Sequence, residues 1–317
     1  MTAAWGASDL GTLGGAESAA NAINGAGQVV GWSSAAGGRR AFLWEQGAMT
    51  DLGTLAPPEE FFSAAGPASE AIGINDAGQV VGFSEENPFD PGRAFLWENG
   101  VMTDLGALPS LDDEHTTIAT AINASGQIVG SAETESADQS AFLWESGTMR
   151  DIGDPDMESL ASDINNAGQV VGWAELTDRR PAAVLWEADG TMVELGQPLV
   201  ASSATAINEA GQIVGWFETE DNGRRACLWD DGVLIDLGTL GGTQSVAADI
   251  NDAGQIVGIG ETADGVPHAF VWEDGKMTDL GTIGGAESAA HGINEAGQIV
   301  GEALTAAGDR HAVLWSR

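Results

Sequence analysis

The phrase "AINGAGQVVG" (22–31) returns, lightly edited, near residues 75, 123, 165, 208, 251 and 294. A phrase said seven times constrains the fold more than any single motif. Each copy must be one supersecondary unit that buries its apolar face against the next. Four phrases recur in fixed order. The first ends in Ile-Asn, as in "SAANAIN" (18–24), and the second is "GQVVG" or "GQIVG". The third centres on "AFLW" (41–44), with variants at 183–186, 226–229, 269–272 and 312–315, and the fourth is "MTDLG" (49–53) or a relative. Measured between the Asn residues the periods are 51, 48, 42, 43, 43 and 43. Each phrase is a short apolar run bounded by Gly, Asn and Asp, which reads as a strand.

The turn chemistry agrees. Asn24, then Gly25-Ala26-Gly27, then Gln28 fits a three-residue hairpin loop whose last residue is left-handed, and Gly27 adopts that conformation without steric cost. Asn24 is placed to bond its own turn backbone. The other copies keep glycine at the matching site: Gly78, Gly126, Gly168, Gly211, Gly254 and Gly297. A second hairpin joins the third and fourth strands. In "WENGVM" (97–102), Asn99-Gly100 forms a two-residue loop that pairs Trp97 with Met102 and Phe95 with Asp104.

Four-stranded units of this length, repeated seven times, specify an all-β chain: a seven-bladed β-propeller of four-stranded blades, read as a single domain over residues 1–317. The alanine-rich first strand belongs at the axis, where blades crowd. The chain starts with a fourth-strand phrase, "WGASDLG" (5–11), and stops at a third-strand phrase, "HAVLW" (311–315). The expected closure therefore pairs the N-terminal strand with the C-terminal blade, Ala7 facing Trp315 and Asp9 facing Val313, so that no edge strand is exposed. Insertions fall near 54–71, 84–92 and 107–120.

The combination "DLGTLGG", "IN.AGQ.VG" and "HAFVW" (268–272) resembles the HAF repeat family, found in bacterial and archaeal proteins often labelled extracellular. The namesake triplet survives literally at His268-Ala269-Phe270; elsewhere its histidine position holds Arg40, Arg93, Ser140, Ala182, Arg225 or His311. The resemblance covers essentially the whole chain. It implies the fold and an extracellular lean, and it brings no activity.

Composition narrows the function classes. The 48 acidic residues against 11 basic ones leave a formal charge of −37, with Lys276 the lone lysine. Such a surface repels itself unless ions screen it, so surface cations are the expected partners and adaptation to high salt the expected setting. Nucleic acid is excluded as a partner, because phosphate binding needs basic patches. No apolar run approaches the roughly eighteen residues of a membrane span, and no charged-then-apolar leader opens the chain. Cys227 stands where other copies carry Phe42, Phe95, Phe142 and Phe270, which makes it apolar filler.

Candidate ligand-binding residues come from the insertions, since enlarged loops on a rigid scaffold are where binding concentrates. Phe61, Phe62 and Phe89 would sit near Arg93, Asp113, Glu114 and His115. The alternative for the aromatics is that they staple their loops down. The arginines cluster before third strands, and Arg40 lies diagonally across from Asp51 in the hairpin register, so cross-strand ion pairs account for them without a ligand. His291 on the axial strand, with Asp163 or Asp249, is a channel-lining candidate for a general base. Catalytic residues are not assigned. No cofactor and no metal is expected, because the "INDAGQ" loops offer too few carboxylates for the about six to eight oxygens that calcium takes.

The resulting expectation is a non-catalytic binding or interaction module for a carbohydrate, peptide or protein ligand. The alternative is a propeller enzyme of lyase or glycosidase type, with its site at the channel mouth. The charge makes one prediction by itself. The thermal midpoint should climb steadily as sodium or potassium chloride rises from dilute to molar, and a flat melting profile across that range would refute salt adaptation.

Overall fold

The computed structural model describes residues 4–55, 67–86, 92–108, 115–134, 139–154, 156–176, 178–195, 200–221 and 223–317. An N-terminal strand β1 (Gly6–Asp9) precedes the first repeat, which contributes β2 (Ser18–Ile23), β3 (Val29–Ala35), β4 (Gly38–Glu45) and β5 (Ala48–Asp51). These four pair in chain order as an antiparallel meander, blade 1. Blades 2 to 6 repeat the pattern, with inner strands Ala68–Ile74, Thr117–Ile122, Ser159–Ile164, Ser202–Ile207 and Gly241–Ile250. Blade 7 has three strands of its own, Gly284–Ile293, Ile299–Thr305 and Arg310–Ser316, and takes β1 as its fourth. Its register is the one expected, Ala7 opposite Trp315 and Asp9 opposite Val313. The seven sheets form a closed β-propeller, and the ladder between the two ends of the chain closes it.

Both hairpins follow from their residues. Gly27 sits at φ +76° and its six counterparts between +73° and +82°. Asn24 Oδ1 accepts from the N–H groups of Ala26 and Gln28, at 3.1 and 3.0 Å, holding the turn as a short polar side chain can. In the outer hairpin Asn99 and Gly100 both have positive φ, 52° and 83°, and Trp97 faces Met102.

A feature unforeseen in the sequence repeats in all seven inner strands. Each carries a bulge at the third residue before the Asn, as at Asn21 between Ala20 and Ala22. The bulge pushes a backbone carbonyl against the second strand. A Cβ on Gly31 would lie 2.0 Å from the Ala19 carbonyl oxygen, and its counterparts Gly82, Gly130, Gly172, Gly215, Gly258 and Gly301 meet the matching carbonyl at 1.9 to 2.1 Å. The final glycine of every "VVG" or "IVG" is therefore required by close approach, not by turn conformation.

The core is distributed between blades. Val80 and Phe95 of blade 2, for example, pack with Val30 and Leu43 of blade 1. Cys227 is wholly buried in the cluster shared by blades 4 and 5, as a small apolar side chain would be. No helix among the described residues is long and apolar enough to cross a membrane.

Two substitutions test this account. Gly172→Ala should cost at least the ~1–3 kcal/mol of an overpacked core, because the obstructing atom is backbone and cannot swing away. Asn208→Ala should cost about 2–3 kcal/mol by removing turn bonds and an inter-blade bond together. Denaturant titration reads both, and a loss under ~0.5 kcal/mol in either would overturn the assigned role.

Candidate functional site

The polar residues nearest the axis are organised as two hydrogen-bonded rings. In the first, each motif asparagine donates from Nδ2 to the carbonyl of its counterpart in the next blade. Asn24 reaches Asn75 at 3.1 Å, Asn75 reaches Asn123, Asn123 reaches Asn165, Asn165 reaches Asn208, Asn208 reaches Asn251 and Asn251 reaches Asn294. Asn294 then donates to the Asn24 carbonyl at 3.0 Å, and the circle is complete. The asparagines are 2 to 6 % exposed, so each of these bonds satisfies a buried amide.

The second ring lies toward the other face. The fourth strand leaves its neighbour after the Leu52 N–H bonds the Ala41 carbonyl, so the Ala41 N–H has no ladder partner. A hydroxyl from the next blade takes it, Ser69 Oγ at 2.9 Å. Thr117, Ser159, Ser202, Ser245 and Ser288 do the same for Ala94, Ala141, Ala183, Ala226 and Ala269, and Ser18 closes the set with Ala312. Sequence reasoning missed this ring. Its signal was a hydroxyl residue six places before every motif asparagine, in the middle of an apolar stretch.

The channel-lining candidates turn out to be ties between blades. The bulge aims its side chain across the interface, where Asn21, Thr120 and Thr205 donate to the carbonyls of Ala71, Ala161 and Ala247 at 2.8 to 2.9 Å. His291 occupies the same position in blade 7 and bonds the Ala20 backbone of blade 1. Asp163 takes the N–H groups of Ile164 and Ile207, at 2.8 and 2.9 Å, and so joins blade 4 to blade 5. Asp249 joins blade 6 to blade 7 through Ile250 and Ile293, both at 2.8 Å. Burial pushes the Asp163 carboxyl up. It pushes Asp249 up to about 7, against the lowering effect of the Ile293 N–H and with help from the Asp163 charge. Burial, then the Arg310 charge, brings His291 down to about 4. Among the described residues no three His, Cys, Asp or Glu side chains converge as a metal requires.

At the hairpin face a cavity of roughly 230 Å³ opens over the asparagine ring, with Asp76, Asn166, Glu209 and Glu295 among its lining residues. These side chains are also used between blades. Asp76 accepts from the Gly25 N–H at 2.8 Å, Asn166 from Ala124, and Glu209 from Asn166.

The long connections leave and rejoin the described strands at the opposite face. Phe61, Phe62, Phe89, Asp113 and Glu114 lie outside the described residues. Arg93 and His115 do not: Arg93 opens a strand of blade 2 and His115 stands two residues before the inner strand of blade 3, and these segments meet, the Thr117 N–H donating to the Gly92 carbonyl at 2.7 Å. Arg93 forms ion pairs with Asp104 and Glu86. The same pairing recurs around the ring. Arg40 meets Asp51 at 4.0 Å, Arg225 meets Asp236 at 3.4 Å, His268 meets Asp279 at 2.8 Å and His311 meets Asp9 at 2.7 Å, while in blade 4, where Ala182 holds that position, Arg180 two residues earlier meets Glu194 at 3.0 Å. Arg40, Arg180 and His268 also reach a carbonyl in the next blade, that of Pro67, Val200 and Ala286 respectively. The namesake histidine of the HAF triplet is thus a clamp between its own outer strand and the neighbouring blade. Arg93 and His115 stand at the two matching positions of blades 2 and 3.

Comparison with known proteins supports the fold and leaves chemistry open. A family described as "Protein of unknown function (DUF3466)" matches residues 101–201. No curated protein matches the chain in sequence. Among solved structures the chain is similar to a puromycin hydrolase mutant complexed with PGG, at a TM-score of 0.65 and 16% identity, over 95% of this chain and 52% of that one. It is also similar to the β-propeller domain of the Trilobed protease from Pyrococcus furiosus, at 0.57 and 11%, over 82% of this chain and 80% of that domain. A putative TolB from Agrobacterium tumefaciens aligns at 0.51 and 12%, over 85% and 94%. The chain spans about half the length of the puromycin hydrolases it matches. At these identities the likeness is one of fold. The Pyrococcus domain is described as having an open velcro topology, whereas here β1 pairs with the last strand.

The two axial titrations have opposite signs. An acid whose native pKa is raised loses stability as pH rises, here from about 4 to about 7 for Asp249. A base whose native pKa is lowered loses stability as pH falls, here from about 6.5 to about 4 for His291. Asp249→Asn should therefore make stability rise more steeply with pH through this window, and His291→Asn should make it fall more steeply. Denaturant midpoints measured between pH 4 and 7.5 decide it; slopes that change together, or not at all, would refute the opposed pair.

Proposed function

We propose that residues 1–317 form a single-domain, non-catalytic binding or interaction module of HAF-repeat type, salt-adapted and presenting its ligand site on the face away from the asparagine ring. The observation that carries this reading is the use already made of the axial polar groups. Asp163, Asp249 and His291, the side chains with the best claim to acid–base chemistry, each take part in a hydrogen bond to the adjacent blade. A group held this way serves closure of the ring, and rearranging it during a reaction would open a blade interface.

The connections support the placement. Blade 6 passes to blade 7 through residues 280–283, whereas blade 1 reaches blade 2 through 52–67 and blade 2 reaches blade 3 through 105–116. Arg93 and His115 stand at described ends of two of these enlarged segments, 86–92 and 105–116. The site is read as Phe61, Phe62, Phe89, Arg93, Asp113, Glu114 and His115, with a carbohydrate, peptide or protein as the ligand. Aromatic faces supply contact area and the charged groups supply orientation.

One observation favours the second reading, a lyase- or glycosidase-type enzyme at the channel mouth. Asp249 has a pKa suited to general acid–base catalysis near neutrality. The two readings separate in one experiment, a glycan and peptide binding screen in high salt on the parent chain and on a Phe61→Ala, Phe62→Ala, His115→Ala variant, with Asp249→Asn alongside. The binding module requires at least a tenfold loss of affinity in the triple variant and none in Asp249→Asn. Unchanged binding in the triple variant, or turnover abolished by Asp249→Asn, would reject it.

A further inference from the structure

Comparing the seven blades position by position exposes a vacancy. Eight residues after the motif asparagine stands a tryptophan in blades 1, 4 and 5, Trp32, Trp173 and Trp216, and in blades 1 and 5 an arginine stands on the next strand beside it. In those two blades the arginine covers the indole. Arg39 lies 4.0 Å from the centre of Trp32 and Arg224 lies 4.1 Å from that of Trp216. In blade 1 the stack continues into the neighbouring blade, where the Arg39 guanidinium pairs with Glu70 at 2.6 Å. The interface is thus filled by an aromatic ring, a cation on its face and a carboxylate beyond.

Blade 6 carries neither partner, as blades 2 and 3 also do not, and it is beside blade 6 that a cavity lies. Its residues at these two positions are Ile259 and Pro267, in the same register, with Ile259 opposite Ala269 as Trp216 is opposite Ala226. The space the stack would occupy is open. A cavity of about 200 Å³ lies between blades 6 and 7, walled by Ile259 and Pro267 on one side and by Ala289, Ala303 and Leu304 on the other. Cavities of about 150 Å³ hold a benzene ring, so this one has room for a fused bicyclic ring. Three charged groups line it: Glu287, Glu302 and Arg310. Arg310 pairs with Glu302, and two carboxylates against one guanidinium leave one negative charge in excess.

We propose that the cavity between blades 6 and 7 binds a small planar aromatic cation, an indole-sized ring bearing an ammonium group. The ring occupies the volume that Trp32 and Trp216 fill in their own blades, against Ile259 and Leu304. The ammonium lies toward Glu287 and Glu302, taking the part that Arg39 plays toward Glu70. The ligand class is therefore written in the sister interfaces, which show which chemistry this fold packs at that depth. The site is separate from the loops over blades 2 and 3.

The probe is tryptamine, titrated calorimetrically into the full chain at fixed ionic strength, with indole-3-propionate as the matched anion. Saturable one-to-one binding of tryptamine, at least tenfold tighter than that of the anion, is the expected result. Ile259→Trp should abolish it by restoring the indole that blades 1 and 5 carry. Pro267→Arg, which brings a guanidinium to the cavity edge, should weaken it at least tenfold, and it keeps the test alive if the tryptophan variant does not fold. Absence of saturable tryptamine binding, equal affinity for the two probes, or undiminished binding to a folded Ile259→Trp chain would overturn the proposal.

Discussion

Seven asparagine side chains, each bonded to the backbone of the next, hold the axis of this protein together. The bond from Asn294 to the Asn24 carbonyl spans 270 residues of sequence. Without it the other six would link a row of blades with two free ends. The same asparagines also fix their own hairpins, so the turn that starts a blade and the contact that positions it cannot form separately. Each bond contributes only about 1 kcal/mol net, but a buried amide left unpaired costs more than that, and every copy is exposed to that penalty if the ring opens.

The ring also limits what the axis can do. Side chains that resemble catalytic groups in one dimension, Asp163, Asp249 and His291, become cross-blade ties in three. Their shifted pKa values follow from burial inside the closed ring, and burial disfavours the charged form of each. Perturbed titration near a channel is a common mark of a functional site, yet structural hydrogen bonding produces the same signature. Here each of the three groups has a partner in the adjacent blade.

Much of the fold was legible because the repeat exposed it. Strand order, both hairpin types, the left-handed glycines and the Ala7–Trp315 register all follow from local turn chemistry and a period read off the chain. The diagonal ion pairs at the HAF position, such as Arg40 with Asp51 and His311 with Asp9, followed from the same hairpin register. The bulge was not legible. It inserts one residue into a strand whose composition barely changes, and its only trace was the unexplained second glycine of each "GQVVG" phrase. Candidate site residues were less legible for the same reason, since a variable position in a repeat can be free to vary or be tuned to its neighbour.

What the sequence determined by itself was the unit and the count, because turn conformations depend on a few adjacent residues and periodicity is a property of the string. Which polar groups face each other was settled only in three dimensions. Asn24 meets Asn294, Ser18 meets Ala312, and Ile259 faces Ala289 across an unfilled gap, all through contacts between residues far apart along the chain or in different blades. Local propensity carries no information about such partners. Packing the blades around a common axis supplies it.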